Sequence, residues 1–152
     1  MTAMMHDYRF MNPHRGYLCL NELEFGAPLK PAMASIFREK IPNPNTFRTV
    51  VLEAKRLNAL EALKEGIVDG LGDFGDVTSF VDEMALLQKP KSGVYGMLKA
   101  EMWKQTVANL DEWQAAEKEI INSRAQDDRR RSEEQGRVEE WEKKTVQTKA
   151  KL

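Results

Sequence analysis

Apolar positions recur at helical spacing over most of this chain and form strand-like runs only near its start. Met1 to Met5 is apolar and helix-compatible, and His6 to Met11 alternates towards a strand. Asn12-Pro13-His14-Arg15-Gly16 reads as a turn. Tyr17 to Leu20 is a β-prone run unbroken by polar residues, the pattern of a strand buried on both faces. Asn21 and Glu22 stand where that strand ends, and Gly26-Ala27-Pro28 turns the chain. Pro31 opens a helix that places Ala32, Ile36 and Phe37 on one face through Lys40. Pro42-Asn43-Pro44-Asn45 stops it, and Asn45 or Thr46 can cap a helix from Phe47 to about Lys55. Asn58 caps a short helix, Ala59 to Glu65, closed by Gly66, and Ile67-Val68-Asp69 is extended.

Further on, Asp76 can cap a helix with apolar positions Val77, Phe80, Val81, Met84 and Leu87, before a break at Pro90 and Gly93. Val94, Met97, Leu98, Met102, Val107, Leu110 and Trp113 then trace one long amphipathic helix. From Asn122 to Arg137 acidic and basic residues interleave, with Ala125 the one apolar side chain. Asp127 with Arg131, Glu133 with Arg137, Glu139 with Lys143 and Glu140 with Lys144 have favourable helical spacing. Such pairs support a solvated helix, which Val138 and Trp141 can anchor along one face. The expected fold is mostly α with two or three short strands and a long charged C-terminal helix.

Composition narrows the partners. The 152 residues carry a net charge of −1, so no long-range field points to nucleic acid. Arg129-Arg130-Arg131 sits among Asp127, Asp128, Glu133 and Glu134 and reads as a solvated face. The one cysteine, Cys19, excludes an internal disulfide and reads as an inert thiol within an apolar run. No apolar stretch approaches the roughly 20 residues of a membrane span. His6 and Asp7 are neighbours on a strand and point to opposite faces, so they form no dyad, and His14 is a turn residue. No metal-ligand constellation is present. Ala150-Lys151-Leu152 at the carboxyl terminus resembles the Ser-Lys-Leu peroxisomal address.

Glu22 is the candidate for chemistry. A carboxylate at the mouth of a buried strand is partly desolvated, a setting that raises carboxyl pKa values and suits them to moving protons. An ion pair with Arg9 or Arg15 explains the same position without catalysis. Asn21 can form the turn or orient Glu22, and Glu24 lies past the strand end, exposed.

The order His6-Asp7-Tyr8-Arg9, a turn, Leu20-Asn21-Glu22-x-x-x-Gly26 and a helix from Pro31 is distinctive. It is followed by Val51-Leu52-Glu53-Ala54-Lys55-Arg56-Leu57-Asn58-Ala59-Leu60-Glu61-Ala62-Leu63-Lys64-Glu65-Gly66-Ile67-Val68-Asp69. Together these resemble the C-terminal half of the crotonase (enoyl-CoA hydratase/isomerase) superfamily, a ββα-spiral fold. Leu-Asn-Glu at the strand end is most similar to the peroxisomal Δ3,Δ2-enoyl-CoA isomerases. The resemblance covers residues 1–70 in detail and continues more weakly to about residue 113. It divides the chain into core residues 1–70, an oligomerisation-type helical region 71–118 and a charged tail 119–152.

That resemblance implies an acyl-CoA thioester as substrate, no further cofactor, and Glu22 as the residue that moves a proton from C2 to C4 of a 3-enoyl-CoA. Hydratases of the family use two glutamates. The second would fall near Met1, which carries no acid and so favours the isomerase. The family's β-rich first half, and the Gly-Gly pair that completes its oxyanion hole, have no counterpart before Met1. Losing one such donor costs about 10²–10³ in rate, so the resemblance implies a chain weakly active or inactive by itself. It also implies trimer-type self-association or pairing with a full-length homologue. The alternatives are an enoyl-CoA hydratase and a non-catalytic oligomerisation or regulatory fragment.

Overall fold

A computed structural model describes residues 1–149, with side chains through Lys143. Residues 150–152, which carry the peroxisome-like tripeptide, lie outside the described residues. The chain divides into two compact units, 1–113 and 114 onwards.

The first unit opens with a 3₁₀ turn, Thr2–Met5, whose Met4 side chain is buried in the core. Strand β1 (Phe10–Met11) then pairs in parallel with β2 (Gly70–Leu71), Phe10 opposite Gly70. A Cβ on Gly70 would stand 2.5 Å from the Phe10 ring, which would have to shift to admit any larger residue. The expected extended piece at 67–69 is therefore displaced, and Ile67 and Val68 are instead buried core residues leading into β2.

Helix α1 (Glu22–Phe25) is a single turn closed by Gly26 at φ 64°, a left-handed cap that glycine takes without strain. Helix α2 (Pro31–Lys40) has the predicted bounds and buries Ala32, Ile36 and Phe37. Helix α3 (Pro44–Leu52) starts earlier than expected. Asn43 is its cap, accepting from the Asn45 N–H at 2.9 Å, because Pro44 is pre-set for the first helical position. Helix α4 (Ala59–Lys64) carries a reciprocal capping box between Asn58 and Glu61. The hydrogen bond from the Asn58 backbone also lowers the Glu61 pKa. Around these helices the core gathers Met4, Leu20, Ile36, Phe37, Ile41, Val50, Leu57, Ala62, Ile67 and Val68.

Helix α5 (Phe74–Glu83) is capped by Asp73 rather than Asp76. Asp76 is instead the third helical residue, whose carboxylate returns a bond from the Asp73 N–H at 2.8 Å. After a 3₁₀ segment at Leu86–Ser92, the long helix expected from Val94 is broken into α6 (Val94–Met102) and α7 (Lys104–Asp111). Trp103 leaves helical geometry at the junction because its ring is fixed against the core and against the Lys40 ammonium, 4.6 Å from the ring centre.

Both helices dock by polar contacts. On α6, Lys99 donates to Asp7 at 2.8 Å and the Tyr95 hydroxyl donates to the same oxygen at 3.2 Å. On α7, the buried Thr106 hydroxyl donates to Glu39 at 2.8 Å and meets Ser35 at 2.8 Å. Met97, Leu98, Met102, Val107 and Leu110 are exposed, so the apolar stripe read from the sequence does not face the core of this unit.

The second unit is helical from residue 114 to 149, the continuation of α8 (Trp113–Lys149). Its ion pairs include Asp127–Arg130 at 2.8 Å and Glu134–Arg137 at 4.0 Å, one residue closer in sequence than predicted. Val138 and Trp141 are exposed. Among the described residues no helix is long and apolar enough to cross a membrane.

Candidate functional site

The run Tyr17–Leu20 is extended but is not a strand of a sheet. Leu18 exchanges two backbone hydrogen bonds with Leu57, both 2.8 Å, and pairing stops there. A strand buried on both faces needs neighbours on either side. Here only Leu20 is buried, while Tyr17 is 70% exposed. Cys19 is half-buried, and its thiol donates to the Ala54 carbonyl at 3.2 Å.

Leu20 fixes the position of Glu22, because its side chain is anchored in the core two residues upstream. Glu22 opens α1, whose turn packs on α3. The residue as a whole is half-buried, but its Oε2 atom is sealed from water and has no hydrogen-bond partner. Buried polar atoms are nearly always satisfied, so an orphaned carboxylate oxygen requires an explanation, and a chemical role is one of the few available.

The ion-pair alternative does not account for it. Arg9 is committed to Asp69 at 3.2 Å and to the Ile67 carbonyl at 2.6 Å. Arg15 is exposed in the turn. Asn21 caps α1 through its backbone carbonyl, which accepts from the Glu24 N–H at 3.0 Å, and its side chain makes no capping bond. Glu24 is exposed. Asp7 turns to Lys99 and Tyr95, and the His6 backbone carbonyl accepts from the Lys40 ammonium.

A second charged cluster was not legible in the sequence. The hydrogen bond from Lys99 holds the Asp7 carboxyl below the ordinary carboxylate range, and the same contact raises Lys99. Burial raises Tyr95 and lowers Lys40, which is 8% exposed. Asp7, Tyr8, Tyr95, Leu98, Lys99, Met102 and Trp103 line a cleft of about 300 Å³. Asp7 and Lys99 lie 92 residues apart, so spacing alone could not pair them. Among the described residues no group of three metal-binding side chains converges.

No family model matches the chain. It is similar to Enoyl-CoA delta isomerase 3 of Arabidopsis thaliana, 26% identical over 116 residues that cover 73% of this chain and 49% of the relative. Peroxisomal Enoyl-CoA delta isomerase 1 of the same plant is 29% identical over 113 residues, 70% of this chain and 46% of that protein. Its peroxisomal Enoyl-CoA delta isomerase 2 is 34% identical over 69 residues, 45% of this chain and 29% of that protein. The chain thus spans about half the length of the first two relatives.

Among solved structures, human mitochondrial Δ3-Δ2-enoyl-CoA isomerase superposes with a TM-score of 0.65 at 20% identity, over 78% of this chain and 47% of that one. A probable enoyl-CoA hydratase of Mycobacterium tuberculosis superposes with a TM-score of 0.62 at 19% identity, over 79% of this chain and 52% of that one. Sequence and fold both fit the crotonase superfamily, as the motifs around Glu22 and at residues 51–69 led one to expect.

Proposed function

We propose that this chain supplies the proton-transfer half of an enoyl-CoA isomerase site, with Glu22 as the base. The ionised Glu22 carboxylate would take a proton from C2 of a 3-enoyl-CoA, leaving a dienolate whose charge rests on the thioester oxygen. The same carboxyl group would return the proton at C4. The double bond shifts to the 2-position, and no atom is gained or lost overall. One carboxylate suffices because its acid and base steps are sequential. The observation that carries this reading is the buried, unpartnered Oε2 of Glu22. An acceptor with no protein donor keeps its lone pairs for a proton, and substrate binding must open the packing that seals it. The isomerase relatives support the substrate class.

The setting is a peroxisome, supported by the terminal Ala150-Lys151-Leu152 and by the two peroxisomal relatives. Association is trimer-type or with a full-length homologue, a reading supported by the exposed apolar stripe of α6 and α7.

The test is a chimera in which this whole chain replaces the matching residues of Arabidopsis Enoyl-CoA delta isomerase 1. It should convert 3-enoyl-CoA to 2-enoyl-CoA, and Glu22→Gln should lower turnover by about 10²–10⁴. Turnover indifferent to Glu22→Gln would remove Glu22 from the mechanism. Water addition to a 2-enoyl-CoA with no double-bond shift would replace isomerisation by hydration.

A further inference from the structure

The charges of α8 repeat themselves backwards with their signs reversed. From Asp127 to Gln135 the chain reads Asp-Asp-Arg-Arg-Arg-Ser-Glu-Glu-Gln, and from Lys144 back to Gly136 it reads Lys-Lys-Glu-Trp-Glu-Glu-Val-Arg-Gly. Laid side by side, Asp127 is level with Lys144, Asp128 with Lys143, Arg129 with Glu142, Arg131 with Glu140 and Glu134 with Arg137. Arg130 is level with Trp141, and no charge meets its like.

Helical geometry gathers the pattern on one face. Asp127, Arg130, Glu134, Arg137, Trp141 and Lys144 alternate three and four residues apart, the spacing of a single stripe. The stripe runs along about 26 Å of continuous helix. Arg130 pairs with Asp127 at 2.8 Å and Arg137 with Glu134 at 4.0 Å on this face. Glu134, Arg137, Val138 and Trp141 line one shallow concavity in it. The face is open to water: Trp141 is 67% exposed and Val138 55%. Reversal about Gln135–Gly136 carries the stripe onto itself, acid to base and Arg130 to Trp141.

We propose that α8 pairs antiparallel with α8 of a second copy of this chain, the two crossing at Gln135–Gly136. Charge selects both direction and register. Parallel pairing in register sets every charge against itself. Sliding the antiparallel pair by one residue sets Asp128 against Glu142 one way, and Arg129 against Lys143 and Glu133 against Glu139 the other. Each copy's Trp141 ring receives the Arg130 guanidinium of the other. The remaining pairs are exposed and screened, so the partnership is specific in register, weak, and sensitive to salt. It is independent of the role proposed for Glu22.

The test uses the full 152-residue chain. Sedimentation equilibrium should find reversible self-association that weakens about tenfold between roughly 0.05 and 0.5 M salt. Arg130→Glu/Arg137→Glu makes the stripe mostly acidic, and Asp127→Lys/Glu134→Lys makes it mostly basic. Each variant alone should associate about tenfold more weakly than the parent, and an equimolar mixture should recover the association as a heterodimer. Direction is read from spin labels on Gln126→Cys in a Cys19→Ser background. Their separation should be about 30 Å across the antiparallel pair, against less than about 20 Å across a parallel one. Four results overturn the proposal: a parent that stays monomeric, association indifferent to both reversals, a mixture that recovers nothing, or the short separation at Gln126.

Discussion

Replacing Glu22 by glutamine should make the protein more stable and its site less able to move protons. Oε2 is buried without a donor, and an unsatisfied buried polar atom costs about 1–3 kcal/mol, more when it is charged. Glutamine keeps the shape and removes the charge, recovering part of that cost. Two corrections reduce the gain. The residue is only half-buried, so solvent screens part of its charge. A carboxylate at a helix start is also favoured by about 0.3–1 kcal/mol, though α1 is a single turn. The net expectation is about 1 kcal/mol of added stability, or a rise in melting temperature of about 2–4 °C for a chain of this size. Glu22→Met, which removes the polar group at similar volume, should gain at least as much. Glu24→Gln, on the exposed side of the same turn, should stay within about 0.5 kcal/mol of the parent. The measurement is urea and thermal unfolding of all four proteins with unchanged denaturant slopes. A fall in stability for Glu22→Gln would refute the reasoning, since it would mean that the carboxylate is a structural group with partners.

Three further outcomes follow from described contacts. The Asp7–Lys99 bond lowers the Asp7 pKa beneath its ordinary value of 3.8, so its stabilisation is present above that value and lost as pH falls through the depressed one. Asp7→Asn should remove this acid-side slope and cost about 0.5–1 kcal/mol at neutral pH, read from Trp103 fluorescence on acid titration. Ala54 and Ala85 both sit in left-handed backbone, at φ 47° and 49°. Left-handed geometry costs an L-residue about 1–2 kcal/mol, so exposed Ala85→Gly should gain about 0.5–1 kcal/mol after the glycine entropy loss. Ala54→Gly should be close to neutral, because it also strips a methyl from a buried position worth about 0.8 kcal/mol. Equal melting shifts for the two would count against this. Thr106→Val should cost about 1–2 kcal/mol and raise proteolysis within α7, whereas Thr106→Ser should not, since the bonds to Ser35 and Glu39 need only the hydroxyl.

What could be read from the sequence was whatever local chemistry decides. Pro31 at the first helical position, Asn58 as a cap and Gly26 in a turn each act within one helical turn, and each appears where the pattern put it. Reading failed where a distant partner decides. Tyr17–Leu20 has strand composition, yet a strand is defined by its neighbours and only Leu57 is there to pair. The amphipathic repeat from Val94 to Trp113 is genuine as a pattern, but Trp103 is held by Lys40, far back in sequence, and the helix breaks on it. At the site, the sequence pointed to Glu22 through its place after an apolar run. That one of its oxygens is sealed and unpartnered depends on packing that no spacing encodes.

The Asp7 clasp has a consequence for the order in which the chain assembles. Its two bonds to α6 close loops of 88 and 92 residues, and the Tyr8 and Phe10 rings, 5.0 and 5.1 Å from that of Phe80, tie α5 to the same early segment. Helices α2 to α4 can settle around local contacts while the polypeptide is still short. Docking of α5 and α6 must wait for a segment made at the very beginning, after the entropy of a long loop has been spent. Their amides should therefore be the last in the first unit to gain protection on refolding and among the first to lose it. Residues His6 to Phe10 thus act as a timer as much as a fastening.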